Sequence, residues 1–348
     1  MAETKQVTPI LDIEQSINDI LNTIDRERER EIIARRFGLF DRRETLEQIG
    51  ELLGITRERV RQLEKVVINK LRSNGEALPH VTEIQAVIIS HLHKMGEAAR
   101  INDLTAKLVK TNTKLDQSRV AFLATLCPQL TTIEENDLFY LAVSVSSVRK
   151  EKPLKADVNK VVDAIKKIGE PTTIDAIAKQ AAIANPKQAE ALASISKQLA
   201  TLNGRWGLVK WPMVNPKNIR DKIYVVLKEN GKQMHFSEIA NAIKKSDFKR
   251  KAVTTQAIHN ELIKDSRFVL IGRGIYALNE WGYKKGTVAD IITEVIKEAG
   301  KPLHRDEIVK RVLKSRIVKE TTVLLNLQGK SKFKRVAKAT YDIADPEQ

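Results

Sequence analysis

Four glycines constrain this 348-residue chain more than any other feature, because each follows an amphipathic run and precedes another at the same offset. The pairs are Gly96/Leu104, Gly169/Ile177, Gly231/Ile239 and Gly300/Ile308, and the glycines lie 73, 62 and 69 residues apart. The runs ahead of them, IQAVIISHLHKMG, VNKVVDAIKKIG, RDKIYVVLKENG and IITEVIKEAG, carry apolar residues at helical spacing. A glycine in that place suits the left-handed residue that closes a helix. Each repeat ends on a short apolar or aromatic stretch: Phe139-Tyr140-Leu141, Trp206-Gly207-Leu208, Ile275-Tyr276-Ala277-Leu278 and Tyr341-Asp342-Ile343. Three helices and a closing hairpin predict a winged helix-turn-helix, used in tandem and not stacked as a solenoid. The expected fold is therefore mainly α and multidomain, with small β wings. Its divisions are 1–78, 81–150, 155–213, 216–284 and 285–345.

The division ahead of the repeats is different. Thr45–Arg72, TLEQIGELLGITRERVRQLEKVVINKLR, predicts two helices joined by a tight turn. Thr45 and Gln48 have the spacing of a capping box. Leu46, Ile49, Leu52 and Leu53 form an apolar face, Gly54 closes the first helix, and Thr56 caps the second. Val60, Leu63, Val67 and Leu71 supply the second helix's buried stripe. The opposite face carries Arg57, Glu58, Arg61 and Gln62 in its first turns. Those side chains match base edges: Arg binds guanine O6 and N7, Glu accepts from cytosine N4, and Gln pairs with adenine. In a DNA-binding helix-turn-helix, this end of the second helix enters the major groove.

Residues from about Ile20 to Gly75 resemble region 4 of the primary bacterial sigma factors, which reads the promoter −35 element. The matching stretches are RERE at Arg28–Glu31, RRFGL at Arg35–Leu39, TLEQIGELLGITRERVRQLE at Thr45–Glu64, and KLR at Lys70–Arg72. The resemblance implies base contacts from Arg57, Glu58 and Gln62. It implies phosphate contacts from Arg59, Arg61, Lys65, Thr45 and Arg43, with Thr56 at the same helix end. The third and fourth repeats resemble the HARE-HTH family, winged helices also seen in the delta subunit of bacterial RNA polymerase. GKQMHFSEIANAIKK with FVLIGRGIYAL, and GKPLHRDEIVKRVLKS with FKRVAKATYDIA, carry that resemblance. It implies a transcription- or chromatin-linked module without fixing the ligand.

The net charge of +16 is unevenly placed. Residues 1–80 carry 14 basic against 15 acidic side chains, whereas 216–284 carry 14 against 7 and 285–348 carry 14 against 9. The C-terminal half thus generates the positive field, and nucleic acid is the usual partner of such a field. Within it, Lys244, Lys245, Lys249, Arg250 and Lys251 precede the expected third helix of repeat three, and Lys330, Lys332, Lys334 and Arg335 lie near the wing of repeat four. These are phosphate contacts or solvated loops.

Residues 1–24 predict a lead helix, with Ile10, Ile13, Ile17, Ile20, Leu21 and Ile24 at helical spacing. Complete sigma factors carry an aromatic-rich domain that stabilises melted DNA; here Phe37 and Phe40 are the only aromatics before Phe122, so this chain is not expected to open a promoter by itself. The single Cys127 excludes an internal disulfide and predicts a small buried residue. His91 and His93, two apart, make a poor metal pair. His235 and His304, equivalent in repeats three and four, predict a structural contact before the next helix. Gly272-Arg273-Gly274 predicts a wing turn, and Trp206, Trp211 and Trp281 predict core anchors. No P-loop, HExxH or serine elbow occurs.

The combined expectation is a non-enzymatic, sigma factor-like, DNA-binding transcription protein without cofactor, metal or small-molecule substrate. Its expected partners are double-stranded DNA and bacterial RNA polymerase. It has no membrane segment or signal-peptide pattern and is expected in the cytoplasm with the nucleoid. The alternative is a delta-like polymerase-associated structural subunit whose winged helices bind protein or RNA. A specificity component of a restriction system is a third class.

Overall fold

Leu104, Ile177, Ile239 and Ile308, the apolar residues eight positions after the landmark glycines, are all fully buried. That equivalence organises the computed structural model, which describes residues 12–250, 252–283, 285–329 and 332–344. Sixteen α-helices and eleven short strands occur among the described residues, and the strands form four small antiparallel sheets. The chain divides into two compact bodies, residues 1–209 and 210–348.

The first body opens with α1 (Ile13–Asn22), α2 (Glu27–Phe37), α3 (Leu46–Leu53) and α4 (Arg57–Ser73). Repeat one follows as α5 (Val81–Lys94), β1 (Ala98–Arg100), α6 (Ile101–Leu108), α7 (Lys114–Leu126), β2 (Leu130–Ile133) and β3 (Ala142–Val145). Repeat two consists of α8 (Glu151–Ile168), α9 (Ile174–Gln180), α10 (Pro186–Ile195), β4 (Leu199–Leu202) and β5 (Arg205–Leu208). β3 is the centre of sheet β1-β3-β2, whereas β4 and β5 pair alone apart from a bridge between Thr172 and Trp206.

The second body holds repeat three, α11 (Ile219–Asn230), β6 (Met234–His235), α12 (Phe236–Lys245), α13 (Thr255–Lys264), β7 (Phe268–Gly272) and β8 (Ile275–Leu278). Repeat four is α14 (Val288–Ala299), β9 (Leu303–His304), α15 (Arg305–Ser315), α16 (Glu320–Leu327), β10 (Phe333–Ala337) and β11 (Thr340–Ile343). Their sheets run β6-β8-β7 and β10-β11-β9, so β7 and β10 are edges. His235 and His304 both cap the next helix, each Nδ1 accepting from the backbone N–H two residues on.

One hydrophobic core runs without a break from the lead helix into repeat one. Ile17 and Ile20 of α1, Ile33 of α2, Val67 and Leu71 of α4, and Phe122 of α7 all belong to it. Phe37 meets Phe122 edge-on at 5.1 Å between ring centres. Arg119 of α7 is buried; its Nε donates to the Leu39 carbonyl at 2.8 Å and a terminal nitrogen to Glu14 at 2.9 Å. The helix pair α3–α4 keeps only a small core of its own, Ile32, Ile49 and Val60. Hence a division at residue 78 cuts through packed side chains.

Other expectations shift. The strand expected at Phe139–Leu141 lies at Ala142–Val145, because Asn136 folds back to accept from the Leu138 and Phe139 N–H groups at 2.8 and 3.0 Å. Phe139 instead bridges Ser196 of repeat two. Repeat two begins at Glu151, four residues before the expected 155, with Pro153 tolerated in the first turn where its missing N–H has no partner to lose. Leu52, expected in the core, is 55% exposed. Ile10 lies outside the described residues.

Candidate nucleic-acid interface

The interface is built from local signals that act together. Thr45 and Gln48 form a reciprocal capping box at the start of α3, and Gly54 closes α3 at φ +62°. Gly50 lets the two helices approach: a Cβ there would sit 2.6 Å from the Ile55 carbonyl. Thr56 then caps α4 by accepting from the Arg59 N–H at 3.2 Å. With Val60 fully buried, the helical period turns Arg57, Glu58, Arg61 and Gln62 to solvent, and all four are exposed.

These side chains are paired with one another. Arg61 holds Glu58 through two hydrogen bonds at 2.8 and 2.6 Å, and Gln62 donates to Glu58 at 3.5 Å. Arg61 keeps the Glu58 carboxyl below the usual carboxylate range, and Glu58 raises the Arg61 guanidinium in return. Arg57 reaches back to Glu47 of α3 at 2.8 Å, a partner that the spacing within α4 could not reveal. Arg59 faces Gln62 at 3.5 Å, and Lys65 is exposed one turn further on. Exposed ion pairs of this kind are worth about 0–1 kcal/mol, so they exchange readily for a ligand's charges. Arg43 lies exposed ahead of α3, its Nε donating to the Arg36 carbonyl at 3.1 Å. Thr45 and Thr56 use their hydroxyls as caps, which leaves both helix N-termini exposed with their dipoles outward.

Half-buried charges hold the frame. Arg36 of α2 pairs with Glu64 of α4 at 3.2 Å, and Arg35 pairs with both Glu31 and Glu44 at 2.9 Å. Glu31, Arg35 and Arg36, at the end of the alternating charge run, thus tie α2 to its neighbours.

Residues 26–73 match Sigma-70, region 4. The match covers α2 to α4, and it makes α3–α4 a sigma-factor-like helix-turn-helix of the DNA-binding kind. RNA polymerase sigma factor SigA of Bacillus sp is 44% identical over 61 residues, which cover 17% of this chain and 16% of that protein. The chain therefore spans about a sixth of the length of that curated relative.

The other basic candidates belong to the second body. Lys249 and Arg250 are exposed in the turn between α12 and α13, with Arg250 at φ +53°. The turn is held from inside by Lys222, a buried lysine whose Nζ donates to the Arg250 carbonyl at 2.7 Å and whose pKa burial lowers. Nothing in the sequence distinguished Lys222 from its solvated neighbours. Lys251 lies outside the described residues, as does Lys330. No helix among the described residues is long and apolar enough to cross a membrane.

Proposed function

We propose that this chain is a non-enzymatic, sigma factor-like transcription protein in which α4 reads a −35-type promoter element and the first body engages bacterial RNA polymerase. The observation that carries this reading is the solvent-facing row Arg57, Glu58, Arg61 and Gln62, at the N-terminal end of a second helix whose segment matches Sigma-70, region 4. Arg57, Glu58 and Gln62 act as base readers, while Arg59, Arg61, Lys65 and Arg43 neutralise phosphates. On binding, Arg57 leaves Glu47 for a guanine edge, and Glu58 exchanges Arg61 for a cytosine amino group. Repeats three and four are winged helices of HARE-HTH character, and repeats one and two are divergent winged helices.

The test is duplex binding by fluorescence anisotropy over a salt series, with a −35-type site against a scrambled one. Arg57→Ala is expected to lose about 1–3 kcal/mol of discrimination between them. Equal preference of wild type and variant would remove base reading from α4. A delta-like structural subunit is the second reading, and burial of the third helices of repeats one and two favours it. A polymerase pull-down that survives nuclease and high salt, together with no site preference, would establish that reading instead.

A further inference from the structure

The four repeats share one plan, yet the structure leaves different parts of each accessible. In repeat one the third helix, α7, is enclosed: Val120, Phe122, Leu123 and Ala124 are buried together with Arg119, against α1, α2 and α4 as well as its own repeat. Its hairpin is closed too. The Tyr140 N–H donates to the Ile195 carbonyl at 2.9 Å, and the Lys197 N–H to the Leu138 carbonyl at 2.8 Å, so repeat two covers the loop between β2 and β3. That loop carries Glu134, Glu135 and Asp137, a charge that repels phosphate.

Repeat two has packed away its third helix as well. α10 lies on β1, and a Cβ at Gly96 would sit 2.3 Å from the Lys187 carbonyl. Its hairpin carries one charge, Arg205. Repeat three keeps an exposed face on α13, but the outer edge of its wing is taken. The Ile317 N–H donates to the Ile271 carbonyl at 2.9 Å, and the buried Arg316 donates to the Leu270 carbonyl at 3.2 Å. Gly272 permits this closure, since a Cβ there would meet the Ile317 carbonyl at 2.7 Å.

Repeat four differs on every count. β10 is the edge strand of its sheet, and Lys334, Arg335, Val336, Ala337 and the turn residue Lys338 are all exposed. Arg335 makes only a backbone contact, Nε to the Ala337 carbonyl at 3.1 Å. Among the described residues neither Arg335 nor Lys338 forms an ion pair with a carboxylate, whereas Lys332 is held by Asp290 at 3.0 Å. The strand's edge is therefore an open, positively charged ribbon.

We propose that the wing of repeat four, through Arg335 and Lys338, is a second DNA contact that binds duplex phosphates without sequence preference, and that repeats one and two hold no nucleic acid but mount the helix-turn-helix rigidly. The occupant is the phosphate backbone because Arg335 and Lys338 carry charges that no carboxylate among the described residues pairs with. This inference extends the promoter-reading proposal but does not depend on site recognition by α4.

The test uses the full chain and a scrambled duplex over a salt series. Arg335→Glu combined with Lys338→Glu is compared with Lys107→Glu combined with Lys110→Glu, an equal charge change on exposed residues of repeat one. Each phosphate contact contributes about 0.9 to the slope of log affinity against log salt, so the wing variant should lower that slope by about two. It should also bind roughly tenfold more weakly near physiological salt. The repeat-one variant should leave the slope unchanged, and unchanged thermal melting of both variants will show that each is folded. Equal losses in both variants, or none in either, would overturn the assignment. Intact duplex binding with a lost polymerase pull-down would overturn it in favour of a protein partner. Failure of α4 to discriminate sites would appear only as equal affinity for −35-type and scrambled duplexes, a separate result.

Discussion

Repeats one and four follow the same sequence landmarks, and the structure uses them in opposite ways. Repeat one buries its third helix against α1, α2 and α4, so that α7 serves as a central strut. Repeat four buries only Val323 and Leu327 of α16, and it presents Thr321 and Leu325 on that helix and residues 334–337 of β10 to solvent. The difference lies in side-chain composition, not in fold. The C-terminal half of α7, VAFLATL, has apolar residues on every face, and a helical segment apolar all round must be enclosed. The C-terminal stretch KFKRVAK cannot be enclosed without desolvating four cations. The same landmarks thus accompany an enclosed strut in repeat one and an exposed basic edge in repeat four.

The largest expected effect tests whether repeat one and the helix-turn-helix are one cooperative structure. Phe122→Ala removes a fully buried ring from their shared core and should cost about 3–5 kcal/mol. Urea unfolding should show the helix-turn-helix losing duplex affinity in the same transition as repeat one. Retention of DNA binding after repeat one unfolds would separate the two and break the contrast between scaffold and surface.

A pair of glycines sharpens it. Gly300 has φ +63° with open space where a Cβ would go, so Gly300→Ala should cost about 1–2 kcal/mol for left-handed backbone alone. Gly96 has φ +91° and the Lys187 carbonyl in the way, so Gly96→Ala should cost about 1–3 kcal/mol more. Thermal melting of the two variants will measure the difference. Equal costs would mean that repeat two is not held on β1.

Cys127, the only cysteine, gives the smallest effect. Burial pushes its thiol up to about 12 from an ordinary value near 9. A raised pKa means that the fold disfavours the thiolate. The associated stability is complete below the unfolded thiol's value and is lost as pH rises from about 9 toward 12. Native protein should resist alkylation at pH 8 and gain reactivity in urea, and Cys127→Ser should flatten the alkaline fall in stability. Rapid alkylation of the native chain at pH 8 would show that the shared core opens.

Much of the helix-turn-helix was legible in the residues. Thr45, Gln48, Gly54 and Thr56 act through hydrogen bonds spanning three or four positions, and the structure has all of them. The equivalence of His235 and His304 pointed to a structural contact before the next helix, and in both places the contact is a helix cap. Leu52 was misread because periodicity marks an apolar face without saying how wide a surface will cover it. Glu47 as the partner of Arg57, and Lys222 behind the Arg250 turn, could not be found from spacing, since each contact joins separate elements.

By itself the sequence determined the caps and closing glycine of the helix-turn-helix and most of its apolar faces, because capping, period and left-handed glycines are local physics. Tertiary structure alone decided which third helices are enclosed and which wings stay open. Those outcomes depend on surfaces brought together from distant parts of the chain, such as Arg119 with Leu39, Gly96 with Lys187 and Gly272 with Ile317. Complementarity between such surfaces is a property of shape and desolvation, and no single stretch of residues contains it.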